Sequence, residues 1–583
     1  MVALKLSGFG GERPLLLPRL LPDTAGTAAV NVRMNDGALT PINISLLAGE
    51  AGASSHQTIY YYQGDWISWS GVVNAVPGPV ASDRLYYTGD GAPKMRIGAT
   101  VYGLKIARPS GDLTGTLVGV GAGDIQSRTY VYTWVTSYGE ESEPSPAGNI
   151  VDWKPGQTVT VSGFAATPGG RSITLQRIYR SQTGRSGTYL YLIAERAATN
   201  ADFNDNIAVD ALQEPLPSAD WNEPPDALAG LIAMPNGMMA AFSGRDVYFC
   251  EPYRPHAWPE KYVMTCDSDV VGLGAVGNVL IVMTKAHPYI MSGSHPASMQ
   301  ALKLETNAPC LTARGIVDLG YAIVYPSTEG LIVARADGSI SLATADLLSR
   351  EDWLLLSPST IIGAQIAGDY VLFYDNLDAA GNKVFGALFI RINATPFLVR
   401  SSERASAVYY DVPTGALYFK RTGQKSIMRL DSPDGEPSTL YWRSKEFWLT
   451  TPDTMGVLLV DLGAPRSAQD QANIEAEIAR IMAENAALFA TGALLGDIND
   501  HEINLYAIGG DAMQDVPTEA ADGKLSVSVY ADGKLVRTIN TGGTIHRLPG
   551  GFKARKWELA VSSNIQVAQL ILAKTMDELK KVI

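Results

Sequence analysis

The sequence predicts a mainly β protein built from many short antiparallel strands, and three observations predict it. The 583 residues include 57 Gly and 33 Pro, which gives frequent turns and few long helices. Apolar runs are of strand length, rich in Val, Ile, Tyr and Trp, and several alternate with polar residues at a period of two. Hydrophobic residues reach 46% against 18% charged, enough apolar surface to offset chain entropy, so a folded, soluble chain is expected. In detail the expected architecture is a β-propeller-like core with a fibronectin III-like β-sandwich insertion and a C-terminal β-sandwich carrying a helical insertion.

Taken in order, residues 1–28 read as an N-terminal arm, with Gly8-Phe9-Gly10-Gly11 as a flexible stretch. Residues 29–106 read as a first propeller blade region. The runs Ile59-Tyr-Tyr-Tyr62, Trp66-Ile-Ser-Trp69 and Leu85-Tyr-Tyr-Thr88 favour a pleated, half-buried surface, and Gly-Asp pairs between them supply turns. Residues 107–215 read as a fibronectin III-like sandwich. Thr129-Tyr-Val-Tyr-Thr-Trp-Val-Thr136 is a strand, and Thr158-Val-Thr-Val161 and Ile173-Thr-Leu-Gln-Arg-Ile-Tyr-Arg180 alternate apolar and polar. The acidic pair Glu140-Glu141 is expected in a solvated turn.

Residues 216–438 carry the remaining blades. Gly237, Gly277, Gly320 and Gly368 open successive hairpins at spacings of 40, 43 and 48 residues, the length of a four-stranded blade. With residues 29–106 and the strands near 407 and 416, about six blades are expected; a pair of stacked sheets is the competing architecture. Residues 439–583 form the C-terminal β domain, with a helical insertion at 464–519. Its helix is expected over 467–489, capped by Ser467 and Asp470, with Ile474, Ile478, Ile481, Met482, Leu488 and Phe489 on one stripe and Asn485 interrupting it. Asp532-Gly533 predicts a tight hairpin, and residues 575–581 a short terminal helix.

The function classes follow by exclusion. Lys and Arg number 46 and Asp and Glu 59, a net charge of −13, so wrapping nucleic acid through clustered cations is not expected. Cys250, Cys266 and Cys310 cannot build a disulfide framework, so a reducing compartment and buried structural thiols are expected. No apolar run approaches membrane-span length and no signal peptide is read. His287 and His295 are eight residues apart and no H-x-x-x-H spacing occurs, so no metal site is expected. Nucleophile-elbow and phosphate-loop motifs are missing. Sugar-cleaving propellers use carboxylates facing a channel, and Asp83, Asp246 or Asp369 are candidates for such positions, but nothing in their spacing sets them above solvent-facing turn residues. No catalytic or cofactor-binding residue is assigned. Interface candidates are the Trp-rich turns with Trp221, Tyr253, Arg254, Trp258 and Trp353, because aromatic and Arg side chains carry most interface energy, and the helical stripe with Ile474, Ile478 and Ile481. Packing between blades is the alternative for each Trp.

Several strings stand together along the chain: Pro18-Arg-Leu-Leu-Pro22, Asp36-Gly-Ala-Leu39, Tyr86-Tyr-Thr-Gly-Asp-Gly-Ala-Pro-Lys94, Trp221-Asn-Glu-Pro-Pro225, residues 251–258, Ser327-Thr-Glu-Gly-Leu331, Leu548-Pro-Gly-Gly-Phe552 and Lys556-Trp-Glu558. Together they resemble the tail nozzle proteins of short-tailed bacteriophages, also called tail tubular protein B. The resemblance spans nearly the whole chain but rests on dispersed short strings. It implies a non-enzymatic virion protein made in the host cytoplasm, six copies forming a tube below the portal and adaptor ring. Tail fibres or spikes would dock on the tube, and double-stranded DNA would pass through its lumen without sequence-specific binding until ejection. An acidic lumen would let DNA phosphates slide. Another connector, plug or packaged-DNA stabilisation protein is the first alternative, and a carbohydrate-binding or glycan-cleaving propeller the second.

Overall fold

The computed structural model describes residues 3–184, 187–211, 213–377, 381–393, 395–462, 476, 478–487 and 524–582. The chain is mainly β. Small antiparallel sheets are strung along it, and one larger sheet ties its two ends together.

The first four-stranded sheet holds Asn74–Pro77, Arg84–Thr88, Lys94–Ile97 and Thr100–Gly103. The next three run over 229–265, 270–303 and 317–342, each a meander of four strands in chain order. Ile362–Ile366, Asp369–Leu377, Lys383–Arg391 and Phe397–Ser401 follow as a fourth meander, whose last strand joins the larger sheet. Ala405–Asp411, Ala416–Arg421 and Ser426–Arg429 make only three strands, and the fourth place is taken from far upstream by Leu46–Glu50. The first strands of these sheets pack in series, from Asn74–Pro77 through Ala229–Ala233, Val270–Val276, Val317–Asp318 and Ile362–Ile366 to Ala405–Asp411. Ala405–Asp411 packs in turn on the hairpin of Thr58–Tyr62 and Asp65–Trp69. That hairpin returns to the start of the series, because the Tyr62 hydroxyl donates to the Asp83 carbonyl at 2.6 Å and accepts from the Gly98 amide.

Aromatic packing explains why strand 46–50 is captured. The Trp66 ring lies where a Cβ on Gly49 would be, 2.3 Å from its Cδ1. Its indole N–H donates to the Ala48 carbonyl, and its ring packs on Tyr409 and Tyr418. Only glycine lets a strand backbone approach an indole this closely. Lys420, fully buried, donates to the carbonyls of Ser54 and Gln424, so the loop after the captured strand is pinned as well.

Residues 114–205 form a separate unit inserted after Thr100–Gly103. Thr114–Val118, Thr158–Ser162 and Phe203–Asp205 make one sheet, and Tyr130–Thr136, Ile173–Gly184 and Gly187–Ala197 another. They enclose one core of Tyr130, Tyr132, Trp134, Val159, Val161, Phe164 and Ile178.

The larger sheet corrects the expected organisation of the ends. Gly10–Glu12 pairs with Ala25–Val30, which pairs with Leu440–Ser444, which pairs with Ala554–Ser563. Ala3–Leu6 adds to a second sheet beside Gln569–Ala573 and Val457–Asp461. Residues 3–12 are therefore not a flexible arm. Leu4, Leu6 and Phe9 are buried in the C-terminal core with Trp442, Trp557 and Leu570. Residues 29–106 likewise do not make one blade: they supply strands to the large sheet, to the 405–429 sheet, to the hairpin and to the 74–103 sheet. The reason is tertiary pairing between strands hundreds of residues apart, which local period cannot reveal.

Other expectations meet their elements directly. Asp532 and Gly533, both with positive φ, turn Leu525–Ala531 into Lys534–Ile539. Met576–Lys580 is helical, with the Thr575 hydroxyl accepting from the Glu578 amide. Residues 476 and 478–487 are helical. Along them Ile481 is buried, Ile478 half-buried, Met482 exposed, and Asn485 is buried and partnered. Ser467, Asp470, Ile474, Leu488, Phe489 and the rest of the 464–519 insertion lie outside the described residues.

Candidate functional site

Three of the interface candidates meet at the junction between the inserted sandwich and the serial sheets. The turn over 251–258 is punctuated by Pro252 and Pro255 and closed by backbone bonds, Arg254 N–H to Glu251 carbonyl and Ala257 N–H to Arg254 carbonyl, both 2.9 Å. Gly237, at φ 73°, lies beneath the Tyr253 ring, where a Cβ would sit 2.6 Å from that ring. The turn is stitched to the segment around Trp221 by the Trp258 amide donating to the Asn222 carbonyl and by a Lys261–Asp220 ion pair. Arg254 lies over the Trp221 ring, 5.5 Å from its centroid, and the His256 ring meets Trp221 edge-on at 5.9 Å. Tyr253 and Arg254 are exposed and Trp221 half-exposed, so these three form a surface.

Trp258 and Trp353 do not, which corrects their reading as interface residues. Trp258 is 2% exposed, among Tyr86, Met95, Leu228 and Met239, and cements the 74–103 sheet to the 229–265 sheet. Its indole N–H donates to the Pro255 carbonyl. Trp353 is 1% exposed among Val317, Val324 and Leu372, and donates to the Ser327 carbonyl. It stands on a short helix, Arg350–Leu355, capped by Ser349, whose hydroxyl accepts from the Asp352 amide. Large aromatics whose N–H finds a carbonyl are well suited to interiors.

The acidic pair Glu140-Glu141 is also corrected: both side chains are buried. Glu141 accepts from the Thr133 and Tyr179 hydroxyls and from Arg177, each at 2.7 Å. Glu140 accepts from Arg171 at 2.8 Å and faces Arg84 of the 74–103 sheet at 3.5 Å. The Glu141 carbonyl is 3.0 Å from Nε2 of His256, which is itself buried. Burial, with Arg171, Arg254 and Arg84 nearby, pushes the His256 pKa down to about 3, so the ring is neutral and Nε2 carries the proton toward that carbonyl. Arg84 lies over the Tyr138 ring, and the hydroxyls of Tyr138 and Tyr102 are 3.2 Å apart. Of these side chains, spread over separate segments of sequence, the chain order singles out the Glu140-Glu141 pair but not its partners Arg84, Arg171, Arg177 and His256.

A second interior cluster lies within the sandwich. Both carboxylate oxygens of Asp205 accept from Nη1 of Arg180, at 3.0 and 2.8 Å, and Oδ2 also accepts from the Tyr130 hydroxyl at 2.7 Å. Arg128 stands 3.5 Å from the same carboxylate and 3.4 Å above the Trp153 ring. Two buried guanidiniums share one buried carboxylate.

The remaining candidates are held by structure. His295 caps a turn through Nδ1, which accepts from the Ala297 amide, and His287 Nδ1 is 3.1 Å from the Thr306 carbonyl. Cys250, Cys266 and Cys310 are buried, their thiols pushed up by burial to about 12, 11 and 12. Asp83, Asp246 and Asp369 lie at the starts of strands in three different sheets, and Asp369 is paired with Arg391. A cavity of about 270 Å³ is lined by Asn74, Gly230 and Gly272, one from each of three successive sheets, and by Ile316, just before the first strand of the next. Arg314 reaches across from the start of the 317–342 sheet to the carbonyls of Gln57 and Ser406.

Two stretches each expose several aliphatic side chains. Leu15, Leu17 and Leu20 (63% exposed) line the loop between Gly10–Glu12 and Ala25–Val30, beside a groove of about 520 Å³. Leu117, Val118, Val120 (95% exposed) and Ile125 cover the tip of the sandwich, where Ala122 N–H donates to the Pro155 carbonyl.

No protein-family model and no curated protein matches the chain. Among solved structures, it is similar to PorZ, described as an essential bacterial surface component of the type-IX secretion system of Porphyromonas gingivalis, at 12% identity and a TM-score of 0.26, over 71% of this chain and 44% of PorZ. It is also similar to the CNH domain of AfRom2, at 8% identity and a TM-score of 0.23, over 59% of this chain and 94% of that domain. The chain spans less than half the length of PorZ.

Proposed function

We propose that the chain is a structural subunit of a phage tail nozzle, six copies of which form a tube below the portal and adaptor ring that channels and retains DNA until ejection. The observation that carries this reading is the exposed aliphatic surface at 15–20 and 117–125, where Leu17, Leu20, Val118 and Val120 are each more than half exposed. Contiguous exposed apolar surface marks contact with partners. The resemblance of the dispersed strings to nozzle proteins supplies the kind of assembly. Two of those strings, around Trp221 and over 251–258, lie together at the sandwich junction.

In the same reading the serial sheets are a propeller of seven units, counting the 58–69 hairpin, closed by the captured strand 46–50. The cavity shared by successive sheets and the reach of Arg314 to Gln57 and Ser406 support convergence on one axis. In this reading DNA passes through the lumen between subunits and not along that axis. The sandwich is a fibronectin III-like decoration available to neighbouring subunits, fibres or spikes.

The test is native mass spectrometry and cryo-EM of the purified protein with a phage adaptor complex. A six-fold ring bound to the adaptor is expected. A chain that stays monomeric and ignores a matched adaptor overturns the reading.

A further inference from the structure

We propose that the sandwich is latched to the serial sheets by His256 and that acid releases the latch, letting the sandwich swing on its two connecting segments. The inference is independent of the assembly reading, because it concerns a joint within one chain.

Only two stretches of chain, residues 104–113 and 213–228, join the sandwich to its neighbours. The joint between them is thinly held. A cavity of about 310 Å³ opens along it, lined by Gly103, Lys105 and Ala107 on one side and by Gly169, Gly170 and Arg171 on the other. Direct bridges include the Arg84–Glu140 ion pair, Arg84 over the Tyr138 ring, the contacts of the Tyr102 hydroxyl with Tyr138 and Ser172, and the His256–Glu141 hydrogen bond. The His256 bond is fully buried, and the Arg84–Glu140 pair is nearly so. Polar atoms go unpartnered around it: Nδ1 of His256, and Nε and Nη1 of Arg171, have no hydrogen-bond partner. Buried polar groups left in this state disfavour the docked arrangement, so the joint has little surplus stability.

The charges facing His256 set the direction of the response. From the sandwich come Arg171 and the Glu140 and Glu141 carboxylates, both already engaged by arginines. The 74–103 sheet contributes Arg84, and the turn of His256 itself contributes Arg254. The acceptor at the ring is a backbone carbonyl, not a carboxylate. A proton added to the ring would therefore create a buried cation among three guanidiniums. Docked, the ring resists protonation down to about pH 3; exposed by release, it titrates near its ordinary 6.5. The released state takes up a proton that the docked state refuses. Release is thus favoured as pH falls through 6.5 and gains up to tenfold per unit until about pH 3. Between pH 7.5 and 5 the ratio of released to docked molecules is expected to rise roughly 30-fold.

The test uses the full chain labelled with a fluorophore pair at V120C, on the sandwich tip, and V412C, an exposed loop of the serial sheets. The three native thiols are buried and stay unlabelled. Energy transfer is followed from pH 7.5 to 4 in this protein and in the same protein carrying His256→Gln, alongside Trp221 emission. The expected result is a reversible change in transfer with the His256 protein, matched by quenching of Trp221, and no such change above pH 5 with His256→Gln. A flat profile with His256 present overturns the proposal, as does the same midpoint in both proteins. Should His256→Gln fail to fold, the His256 ring resonance in the unlabelled chain decides. Titration only together with the change in transfer supports the latch, and simple titration near 6.5 at constant transfer overturns it.

Discussion

Trp221 and Trp258 belong to turns that hydrogen-bond to each other, yet they do different work. Trp258 fills the space between two sheets, and removing it leaves a cavity where an indole was. Trp258→Ala should therefore cost about 3–5 kcal/mol of stability, the range for burying nothing in place of a large aromatic. Trp221→Ala, at a half-exposed ring under Arg254, should cost less than about 1 kcal/mol in the isolated chain. Urea denaturation of both variants checks this, and a reversed order would contradict the assignment of interior and surface. The difference was not legible from the string Trp-Asn-Glu-Pro-Pro against Arg-Pro-His-Ala-Trp, since both combine an aromatic with proline. For Trp353 a signal did exist: Ser349 followed three residues later by Asp352 is a capping pattern, and it marks a helix whose Trp faces inward. Glu140 and Glu141 gave no such signal, because Arg171, Arg177 and Arg84 reach them from other strands.

Among elements, the strand Tyr130–Thr136 is the most constrained, buried along its whole length. Its Tyr130 hydroxyl helps Asp205 hold two buried arginines. Asp205→Ala would leave Arg128 and Arg180 inside without a counter-charge, a loss of about 3–5 kcal/mol. In a unit of this size that lowers its unfolding transition by roughly 15 °C or more. Scanning calorimetry should show the sandwich melting ahead of the other sheets, and an unchanged profile would show that the cluster is not structural. Alternation along Ile173-Thr-Leu-Gln-Arg-Ile-Tyr-Arg180 located the neighbouring strand Ile173–Gly184 from sequence, and the same pattern hid that Arg180 is buried. The hairpin at Asp532-Gly533 was fully legible, since its turn chemistry is local. The captured strand Leu46–Glu50 was not, since its partner Ser426–Arg429 lies almost four hundred residues away.

At the scale of the whole molecule, the two ends of the chain share one core. Leu4, Leu6 and Phe9 pack with Trp442, Trp557 and Leu570, so the first strands are part of the C-terminal domain. Deleting residues 1–12 should abolish cooperative folding of that domain, seen as loss of the sharp thermal transition. A folded, merely shortened protein would restore the reading of these residues as an arm. The mainly β class was legible in glycine, proline and strand-length runs; the weaving of the ends was not, because it depends on pairings that only the assembled sheets specify. The same woven body exposes aliphatic side chains at 15–20 and 117–125, and the proposed nozzle role stands on that surface. The most direct measurement is the native mass of the protein mixed with its adaptor complex. The account predicts six copies per adaptor ring, lost when Leu17 and Leu20 are both changed to Asp or when Val118 and Val120 are. Six-fold binding unaffected by either pair would contradict the role of these loops, and no binding at all would contradict the nozzle itself.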